Sequence, residues 1–240
     1  MGSTIVIKDV SKSFGKKEVL NNINLTMEPG QIYGLIGPSG SGKTTLVKII
    51  VGMDRPSQGH VQVLDTPVPN LKLLQNIGYM AQADALYPDL TGEENLAFFA
   101  SLFELKKDVK KKRIAYASEL VNLTTHLKKK VQDYSGGMKR RLSLAVALIQ
   151  DPQVLILDEP TVGIDPALRQ SIWAEIQRLK TTGKTIVVTT HVMDEAERCD
   201  RLAMVRDGEI ITSGSPAELK KQFAITSLEE VFLKAGGNKQ

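Results

Sequence analysis

The sequence predicts an α/β fold with a parallel sheet at its core. Three apolar segments carry this prediction, because each reads as a strand and ends at a polar or glycine-rich turn: residues 31–36, 154–157 and 185–190. Residues 154–157 are apolar at every position, as expected for a strand that is buried on both faces of a parallel sheet. A helical pattern at residues 42–51 follows the first segment, so strand and helix alternate there.

We expect one domain, whose core is formed by residues 1–82 and 151–215. Within it, residues 5–24 and 61–64 have the pattern of short strands and are expected to form a small antiparallel β subdomain. The parallel part of the core is expected to continue through residue 214.

Two helical parts complete the predicted domain. Helical patterns dominate residues 83–150, which we interpret as an inserted helical subdomain. Residues 216–240 are expected to form a C-terminal helical tail, in which Ser227 and Glu230 have the spacing of a capping box.

Composition fits a chain with one large core. The chain has 240 residues, of which 42% are apolar, and it contains a single cysteine, Cys199. A lone cysteine cannot form an internal disulfide, and we interpret it as a small buried apolar residue. The longest unbroken apolar run is residues 144–149, far short of the roughly 20 residues that cross a bilayer. We therefore expect neither a membrane span nor a signal peptide.

A phosphate-binding loop follows the first predicted strand. Residues 37–44 match the pattern GxxxxGK(S/T), between a strand and a helix as that loop requires. We expect Lys43 to reach the β- and γ-phosphates, the Thr44 hydroxyl to bind Mg²⁺ and Thr45 to donate to the α-phosphate. The loop residues are Gly37, Pro38, Ser39, Gly40, Ser41, Gly42, Lys43 and Thr44. The loop predicts binding of a Mg-nucleoside triphosphate but does not by itself imply hydrolysis.

Two adjacent carboxylates end the strand at residues 154–157. Because alternate residues of a strand point to opposite sides, Asp158 and Glu159 are expected to have different roles. Asp158 is the better candidate for Mg²⁺ binding, and Glu159 for polarising an attacking water as general base. The alternative is an ordinary turn before Pro160.

Gln82 follows a further predicted strand at residues 76–81, and His191 follows the predicted strand at residues 185–190. Ligands of open parallel sheets bind beyond the carboxyl ends of the strands, so Gly37, Gln82, Asp158 and His191 are expected to converge on one edge. Gln82 is a candidate for holding the metal ion or orienting water, and His191 for contacting the γ-phosphate or the water. Taken alone, either residue is more often a turn or cap residue.

A Ser-Gly-Gly segment begins another predicted helix. Ser135, Gly136 and Gly137 precede an apolar helical pattern at residues 138–150. The serine and the free N–H groups at the start of such a helix form a second candidate site for an anion. The alternative is a helix cap that binds nothing.

The order of these segments resembles that of the ATP-binding subunits of ABC transporters. The shared order is the phosphate loop, Gln82, the Ser-Gly-Gly signature, the Asp-Glu strand end, residues 163–165 and His191, and the resemblance covers roughly residues 5–232. It implies that the chain is a single ABC ATPase domain that binds ATP and Mg²⁺, and that two subunits close on two ATP molecules. Each Ser135 would then meet the γ-phosphate held by the other copy.

The resemblance also implies two further nucleotide contacts. Asp165 lies in the matching Gly-Ile-Asp segment, and Phe14 occupies the position of an aromatic ring that stacks on adenine. Stacking contributes about 0.5–1.5 kcal/mol and accepts any purine, so base selectivity is expected to be weak. Packing of Phe14 in the core is the alternative.

Three positions depart from the usual family pattern: Met138 replaces a glutamine, Ala81 a proline and Ile164 a leucine. None of these changes removes a catalytic group. The segment Tyr-Ser-Gly-Gly-Met-Lys-Arg-Arg at 134–141, together with residues 227–233, is similar to the exporter branch that includes daunorubicin-resistance pumps.

Positive charge is concentrated in one part of the chain. Residues 106–141 contain twelve Lys or Arg against three Asp or Glu. A solvated helical face is the simplest interpretation, and anionic lipid near a membrane is the main alternative. We expect no nucleic-acid binding, because Tyr116 is the only aromatic residue among these cations before Tyr134. The densest cations are Lys106, Lys107, Lys110, Lys111, Lys112 and Arg113.

The predicted helical subdomain also carries candidates for partner binding. Leu96, Phe99, Ala100 and Phe103 recur at helical spacing, which indicates a core-facing stripe. The resemblance implies that a cytoplasmic helix of a membrane partner docks just after Gln82, and Leu86, Tyr87 and Leu90 are the candidates for that contact.

Together these features predict an ATP-hydrolysing subunit that powers export through a separate transmembrane permease subunit. It is expected to lie at the cytoplasmic face of the cell membrane and to work as a dimer, with a second copy or a close paralogue. One alternative is a soluble ABC ATPase that remodels a protein assembly or a ribosome. Another is a nucleotide-gated module without hydrolysis, against which Glu159 argues.

Overall fold

The computed structural model describes residues 2–83 and 85–237. The chain forms two compact units, one of Met1–Leu73 with Thr185–Gln240 and the other of Leu74–Lys184. We refer to them as unit 1 and unit 2.

The elements alternate along the chain as α/β patterns predict. The strands are β1 (Ile5–Phe14), β2 (Lys17–Met27), β3 (Ile32–Ile36), β4 (Gln58–Val63), β5 (Thr66–Pro67), β6 (Ile77–Met80), β7 (Val154–Asp158), β8 (Thr185–Thr190), β9 (Arg201–Arg206) and β10 (Glu209–Gly214). The helices are α1 (Lys43–Ile50), α2 (Gly92–Leu102), α3 (Lys107–Leu120), α4 (Gly136–Ala147), α5 (Pro166–Thr181), α6 (Met193–Ala196), α7 (Pro216–Phe223) and α8 (Leu228–Ala235). Short 3₁₀ helices lie at Leu71–Asn76, Thr124–His126 and Val131–Asp133.

Unit 1 contains the predicted antiparallel β subdomain. Its strands have the order β2-β1-β4-β5, and β1 pairs antiparallel with both β2 and β4. Ile5 and Ile7 of β1 are buried, while Lys8 and Asp9 are exposed. One face of this sheet therefore packs on a core, as the alternating sequence predicts.

Unit 1 also contains the parallel strands that carry the phosphate loop. β3 lies between β8 and β9 and is parallel to both. Every residue of β3 is buried, and so is every residue of β8. Burial on both faces explains why these segments lack an alternating pattern.

The prediction that the core stays parallel through residue 214 is wrong for β10. This strand pairs antiparallel with β9. Asp207 and Gly208 connect the two strands, and both have positive φ, 50° and 79°. An Asp-Gly pair in this conformation forms a two-residue hairpin turn, so the dipeptide was a sequence signal for an antiparallel edge.

Unit 2 contains one parallel strand pair and the helices α2 to α5. β6 and β7 pair in parallel, with Met80 opposite Leu157. Helix α2 begins at a capping box formed by Thr91 and Glu94, and it buries Leu96 and Ala100 of the predicted core stripe completely. That stripe packs inward, although Phe99 and Phe103 remain half-exposed.

The C-terminal part of unit 1 is helical, as predicted, with α7 and α8 separated by a short break. The predicted capping box at Ser227 is wrong. Ser227 caps α8, but its hydroxyl accepts from the N–H of Glu229 at 3.2 Å. Leu228 and Val231 of α8 are buried. Residues 238–240 of the tail lie outside the described residues. No helix within the described ranges is both long and apolar enough to span a bilayer.

Candidate active site

The phosphate loop of unit 1 connects β3 to α1. Pro38, Ser39 and Gly40 are exposed, whereas Ser41 and Lys43 are buried. The Lys43 ammonium donates to the carbonyl oxygens of Gly37 and Pro38 at 2.7 and 2.8 Å. The cation is therefore already held over the loop, where phosphate oxygens would accept the same N–H groups. Thr44 and Thr45 lie half-exposed in the first turn of α1.

Two loop glycines are required by the local geometry. A Cβ on Gly37 would lie 2.1 Å from the carbonyl oxygen of Val205. Gly42 has φ of 106°, and a Cβ there would lie 2.7 Å from Leu20 Cδ2. Only glycine fits these positions, because any side chain would collide with β2 or β9. Gly40 faces open space instead.

Helix α1 begins in a way that suits an anion. Gly42 occupies the N-cap, no side chain caps the helix, and its first turn contains no acidic residue. Backbone N–H groups at a helix N-terminus attract phosphate through hydrogen bonding and the helix dipole. The loop therefore fits a nucleotide phosphate chain in both shape and charge.

His191 lies beside the phosphate loop within unit 1. Thr190 is opposite Ile36 in the parallel pairing of β8 with β3, so His191 and Gly37 follow neighbouring strands at the same edge. The turn after β8 is fixed by Thr190, whose hydroxyl donates to Glu195 at 2.8 Å and accepts from the N–H of Val192 at 3.0 Å. His191 itself is exposed.

Phe14 lies at the tip of the β1–β2 hairpin. Its side chain is 53% exposed, so the structure contradicts the alternative of core packing. The Lys12 ammonium lies 4.8 Å from the centre of the ring and is held by Asp54 at 2.6 Å. The hydrogen bond from Lys12 lowers the pKa of Asp54. Lys12 thus supports the ring from one side, a role that no sequence pattern indicated.

The two carboxylates at the end of β7 have different surroundings in unit 2. Asp158 is 1% exposed, while Glu159 is half-buried and has φ of 52°. A positive φ is rare for a residue with a side chain and costs on the order of 1–3 kcal/mol, and such strain clusters at functional sites. Burial, followed by the nearby charge of Asp158, raises the pKa of Tyr79 to about 12.

Gln82 follows β6 at the same edge of unit 2. Because Met80 is opposite Leu157 in the parallel pair, Gln82 and Asp158 lie at the ends of neighbouring strands. The structure thus places Gln82 and Asp158 at neighbouring strand ends in unit 2, and Gly37 and His191 at neighbouring strand ends in unit 1. The meeting of all four residues stays a prediction.

The Ser-Gly-Gly segment begins helix α4. Ser135 is the exposed N-cap, and its hydroxyl accepts from the N–H of Met138 at 3.2 Å. A Cβ on Gly136 would meet nothing within 4 Å, and the first turn has no acidic side chain. The prediction placed the start of the helix at residue 138, two residues too late. The open, positively polarised helix start fits an anion.

A cavity of about 460 Å³ joins several of these residues in unit 2. It is lined by Gln82, Gly136, Gly137, Arg140, Glu159, Val162 and Gly163. Asp165, just beyond it, is the N-cap of α5 and accepts from the N–H of Leu168 at 3.0 Å, a structural role that leaves its nucleotide contact a prediction. Arg140 is a lining residue that the sequence did not single out.

Mg²⁺ is compatible with these residues. The described residues contain no cluster of three or more His, Cys, Asp or Glu side chains suited to a metal ion. Mg²⁺ does not require one, since it is usually held by one or two protein groups together with water and substrate phosphates. A hydroxyl at Thr44 and a carboxylate at Asp158 are oxygen donors of the kind it prefers.

The loop, the strand-end carboxylates and the serine-capped helix define a phosphate-loop ATPase. The family model described as ABC transporter matches residues 20–162, and the chain belongs to this family. It is accordingly an ATP-binding protein and an ATPase.

Curated relatives and solved structures agree with this assignment. The chain is 40% identical to the Nod factor export ATP-binding protein I of Rhizobium etli, over 96% of this chain and 74% of that protein. It is 39% identical to the probable multidrug ABC transporter ATP-binding protein YbhF of Escherichia coli, over 93% of this chain and 39% of that protein.

Two solved structures share the fold. An ATP-binding subunit of an ABC transporter has a TM-score of 0.91 and 26% identity, with coverage of 98% of this chain and 100% of the other. A dimeric ATP-binding cassette in a post-hydrolysis state, bound to ADP and Pi, has a TM-score of 0.82 and 28% identity, with coverage of 88% and 98%.

Proposed function

We propose that this ATPase powers export through a separate transmembrane permease, as one subunit of a dimer with two interfacial ATP sites. The single observation that carries the catalytic part is Glu159, a half-buried carboxylate in a left-handed conformation next to buried Asp158. The export part is supported by two relatives, a Nod factor export ATP-binding protein and a probable multidrug ABC transporter ATP-binding protein. The dimeric cassette supports the dimer.

Each site residue has a proposed role in ATP binding or hydrolysis. Phe14 offers a ring for the purine, and Lys43 with the loop N–H groups binds the phosphates. Glu159 takes a proton from the attacking water as general base, and His191 holds the γ-phosphate or that water by a hydrogen bond. Mg²⁺, when bound, neutralises phosphate charge. Its proposed holders are Thr44, Gln82 and Asp158.

The remaining proposed contacts concern the second subunit. Ser135, Gly136 and Gly137 present an open helix start that suits the γ-phosphate held by the other copy. Asp165 is proposed to lie near the same nucleotide. Thr45 is proposed to donate to the α-phosphate.

The permease is proposed to dock on an aromatic patch of unit 2 formed by Tyr87, Phe98 and Leu102. These side chains are 46%, 41% and 63% exposed, and the rings of Tyr87 and Phe98 meet edge to face at 4.8 Å. Buried Asn95 holds the backbone of Tyr87 through hydrogen bonds of 2.9 and 3.0 Å. A fixed loop with exposed aromatic rings suits an amphipathic helix of a partner. Leu86 and Leu90, the other candidates, are only partly exposed.

Co-purification from detergent-solubilised membranes tests this function. The tagged chain should recover a protein with several predicted membrane spans, and Tyr87→Ala with Phe98→Ala should lower the recovery at least about tenfold, as expected when aromatic anchors are lost. Leu233→Ala, at an exposed apolar residue of α8, is the control and should not change it. Recovery of ribosomes or of a non-membrane assembly instead would contradict the proposal.

The basic residues of α3 are proposed to lie near anionic lipid at the cytoplasmic face. One of the six predicted lipid-facing cations has another role. Arg113 is half-buried and donates to the carbonyl oxygens of Leu148 and Ile149. Arg113 therefore holds the end of α4 and is removed from the predicted lipid-facing cations. Lys107, Lys111 and Lys112 are exposed.

Vesicle binding tests the lipid contact. We expect Lys107→Gln, Lys111→Gln and Lys112→Gln together to weaken binding to vesicles with phosphatidylserine, because each cation near such a surface contributes about 1 kcal/mol. The loss should disappear at high salt, where screening is strong. The same substitutions at exposed Lys8, Lys72 and Lys221 change net charge equally and should have little effect. Equal binding by both triple variants would leave a solvated face as the only interpretation.

A further inference from the structure

Arg140 connects the start of α4 to the ends of two strands in unit 2. Its side chain is buried, with the residue only 7% exposed. Nη1 donates to the carbonyl oxygens of Ala81 and Gln82 at 2.7 and 3.0 Å. Nη2 donates to the carbonyl oxygens of Asp158 and Glu159, the latter at 2.6 Å. One guanidinium therefore contacts two consecutive carbonyl groups after β6 and two at the end of β7.

These contacts begin where the β6–β7 pairing ends. The last paired residues are Met80 and Leu157. Beyond them, no β6–β7 backbone hydrogen bonds set the spacing of the two segments. A guanidinium is planar and carries five N–H groups in a fixed arrangement, which sets the positions of several acceptors at once. An ammonium is a point donor and cannot reproduce this geometry.

The contact with Glu159 matters most, because the conformation of this residue is strained. Its φ of 52° is unfavourable for any residue that has a Cβ atom. Such a backbone conformation persists only when the surrounding structure enforces it. A charge-assisted hydrogen bond to the Glu159 carbonyl is a strong restraint of this kind. The direction of the carboxylate follows from that backbone conformation.

We propose that Arg140 is a positioning residue that holds the backbones of Glu159 and Gln82 and ties both to the Ser135 end of α4. The inference rests on the proposed role of Glu159 as general base. Only five positions separate Arg140 from Ser135 on the same helix, which begins at Gly136. A displacement of this helix start is therefore passed to the carbonyl groups of residues 82 and 159.

The neighbouring Arg141 provides a matched control. It lies on the same helix and also donates to backbone carbonyl oxygens, those of Val121 and Asn122, at 3.4 and 3.1 Å. Those acceptors follow α3 and belong to no strand end. Loss of Arg141 removes an equal charge and two backbone contacts without touching Gln82 or Glu159.

The test compares Arg140→Lys and Arg140→Met with the same changes at Arg141, by steady-state ATP hydrolysis and by equilibrium Mg-ATP binding. We expect kcat to fall about 10- to 100-fold for both Arg140 variants, the range for misplacing a catalytic group by about 1 Å. Mg-ATP affinity should change by no more than about twofold, because Lys43 and the loop N–H groups, which are proposed to bind the phosphates, belong to unit 1 and not to the segments that Arg140 holds. Both Arg141 variants should keep kcat within about threefold. Urea unfolding verifies that Arg140→Lys is folded.

Combination with Glu159→Gln separates this inference from the role of Glu159. If Arg140 acts through Glu159, the double variant is no slower than Glu159→Gln alone. Multiplied losses in the double variant would overturn positioning through Glu159, and an unchanged kcat in folded Arg140→Lys while Glu159→Gln is slow would overturn the positioning role as a whole. Full activity of Glu159→Gln would instead show that Glu159 is not the general base, which is the premise of this inference.

Discussion

Replacing Glu159 with glutamine should abolish most ATP turnover and leave Mg-ATP binding intact. The amide is nearly the same size as the carboxylate but cannot accept a proton from the attacking water. Loss of a general base lowers the rate by roughly 10²–10⁴. We expect steady-state phosphate release to fall within this range, while equilibrium binding of Mg-ATP stays within about twofold of the wild type.

Two controls define what this result means. Glu119→Gln, at an exposed position of α3, removes the same charge and should leave turnover unchanged. Asp158→Asn should instead raise the Mg²⁺ concentration needed for activity, because Asp158 is proposed to help hold the metal. Wild-type turnover in Glu159→Gln would show that this carboxylate is not the base, whatever its conformation.

The strands around the phosphate loop could be predicted from the sequence, because strands that are buried in a parallel sheet consist of nearly uninterrupted apolar residues. β8 has the predicted bounds, and β7 ends at Asp158, the first of the two carboxylates that were predicted to end this strand. The loop between β3 and α1 needs glycine at specific positions, so its residues mark it directly. In these segments the residue types that the structure requires are adjacent in the sequence, and the segments are therefore recognisable from the sequence alone.

Contacts between distant segments left no such signal. Arg140 reaches carbonyl groups 58 and 59 residues away on one side and 18 and 19 on the other. Backbone carbonyls are present at every residue, so no residue type among the acceptors could have indicated the contact. Lys12 and Asp54 are similarly far apart in sequence and meet only in the folded chain. The Asp207-Gly208 turn differs, because its signal is local: an Asp-Gly pair between two strands is typical of a hairpin.

The largest effect specific to a dimer should appear when two inactive variants are mixed. Lys43→Ala removes the cation that is proposed to contact the phosphates, and Ser135→Ala removes the hydroxyl that is proposed to reach the nucleotide of the other subunit. Each variant alone should be nearly inactive. A mixed dimer contains one site with both defects and one with neither, as two-fold symmetry requires. An equimolar mixture should then recover up to about a quarter of wild-type turnover, since about half of randomly paired dimers are mixed.

The exposed N-cap at Ser135 and the open space at Gly136 are what make a contribution to a second subunit's site feasible. The matched control mixes Lys43→Ala with the double variant Lys43→Ala, Ser135→Ala, because no pairing of these two chains creates an intact site. Turnover measured over a series of mixing ratios should follow the fraction of mixed dimers and reach its maximum near equal amounts. If every ratio gives only the weighted sum of the two parents, each chain uses its own Ser135 or none, and the two-subunit site is excluded.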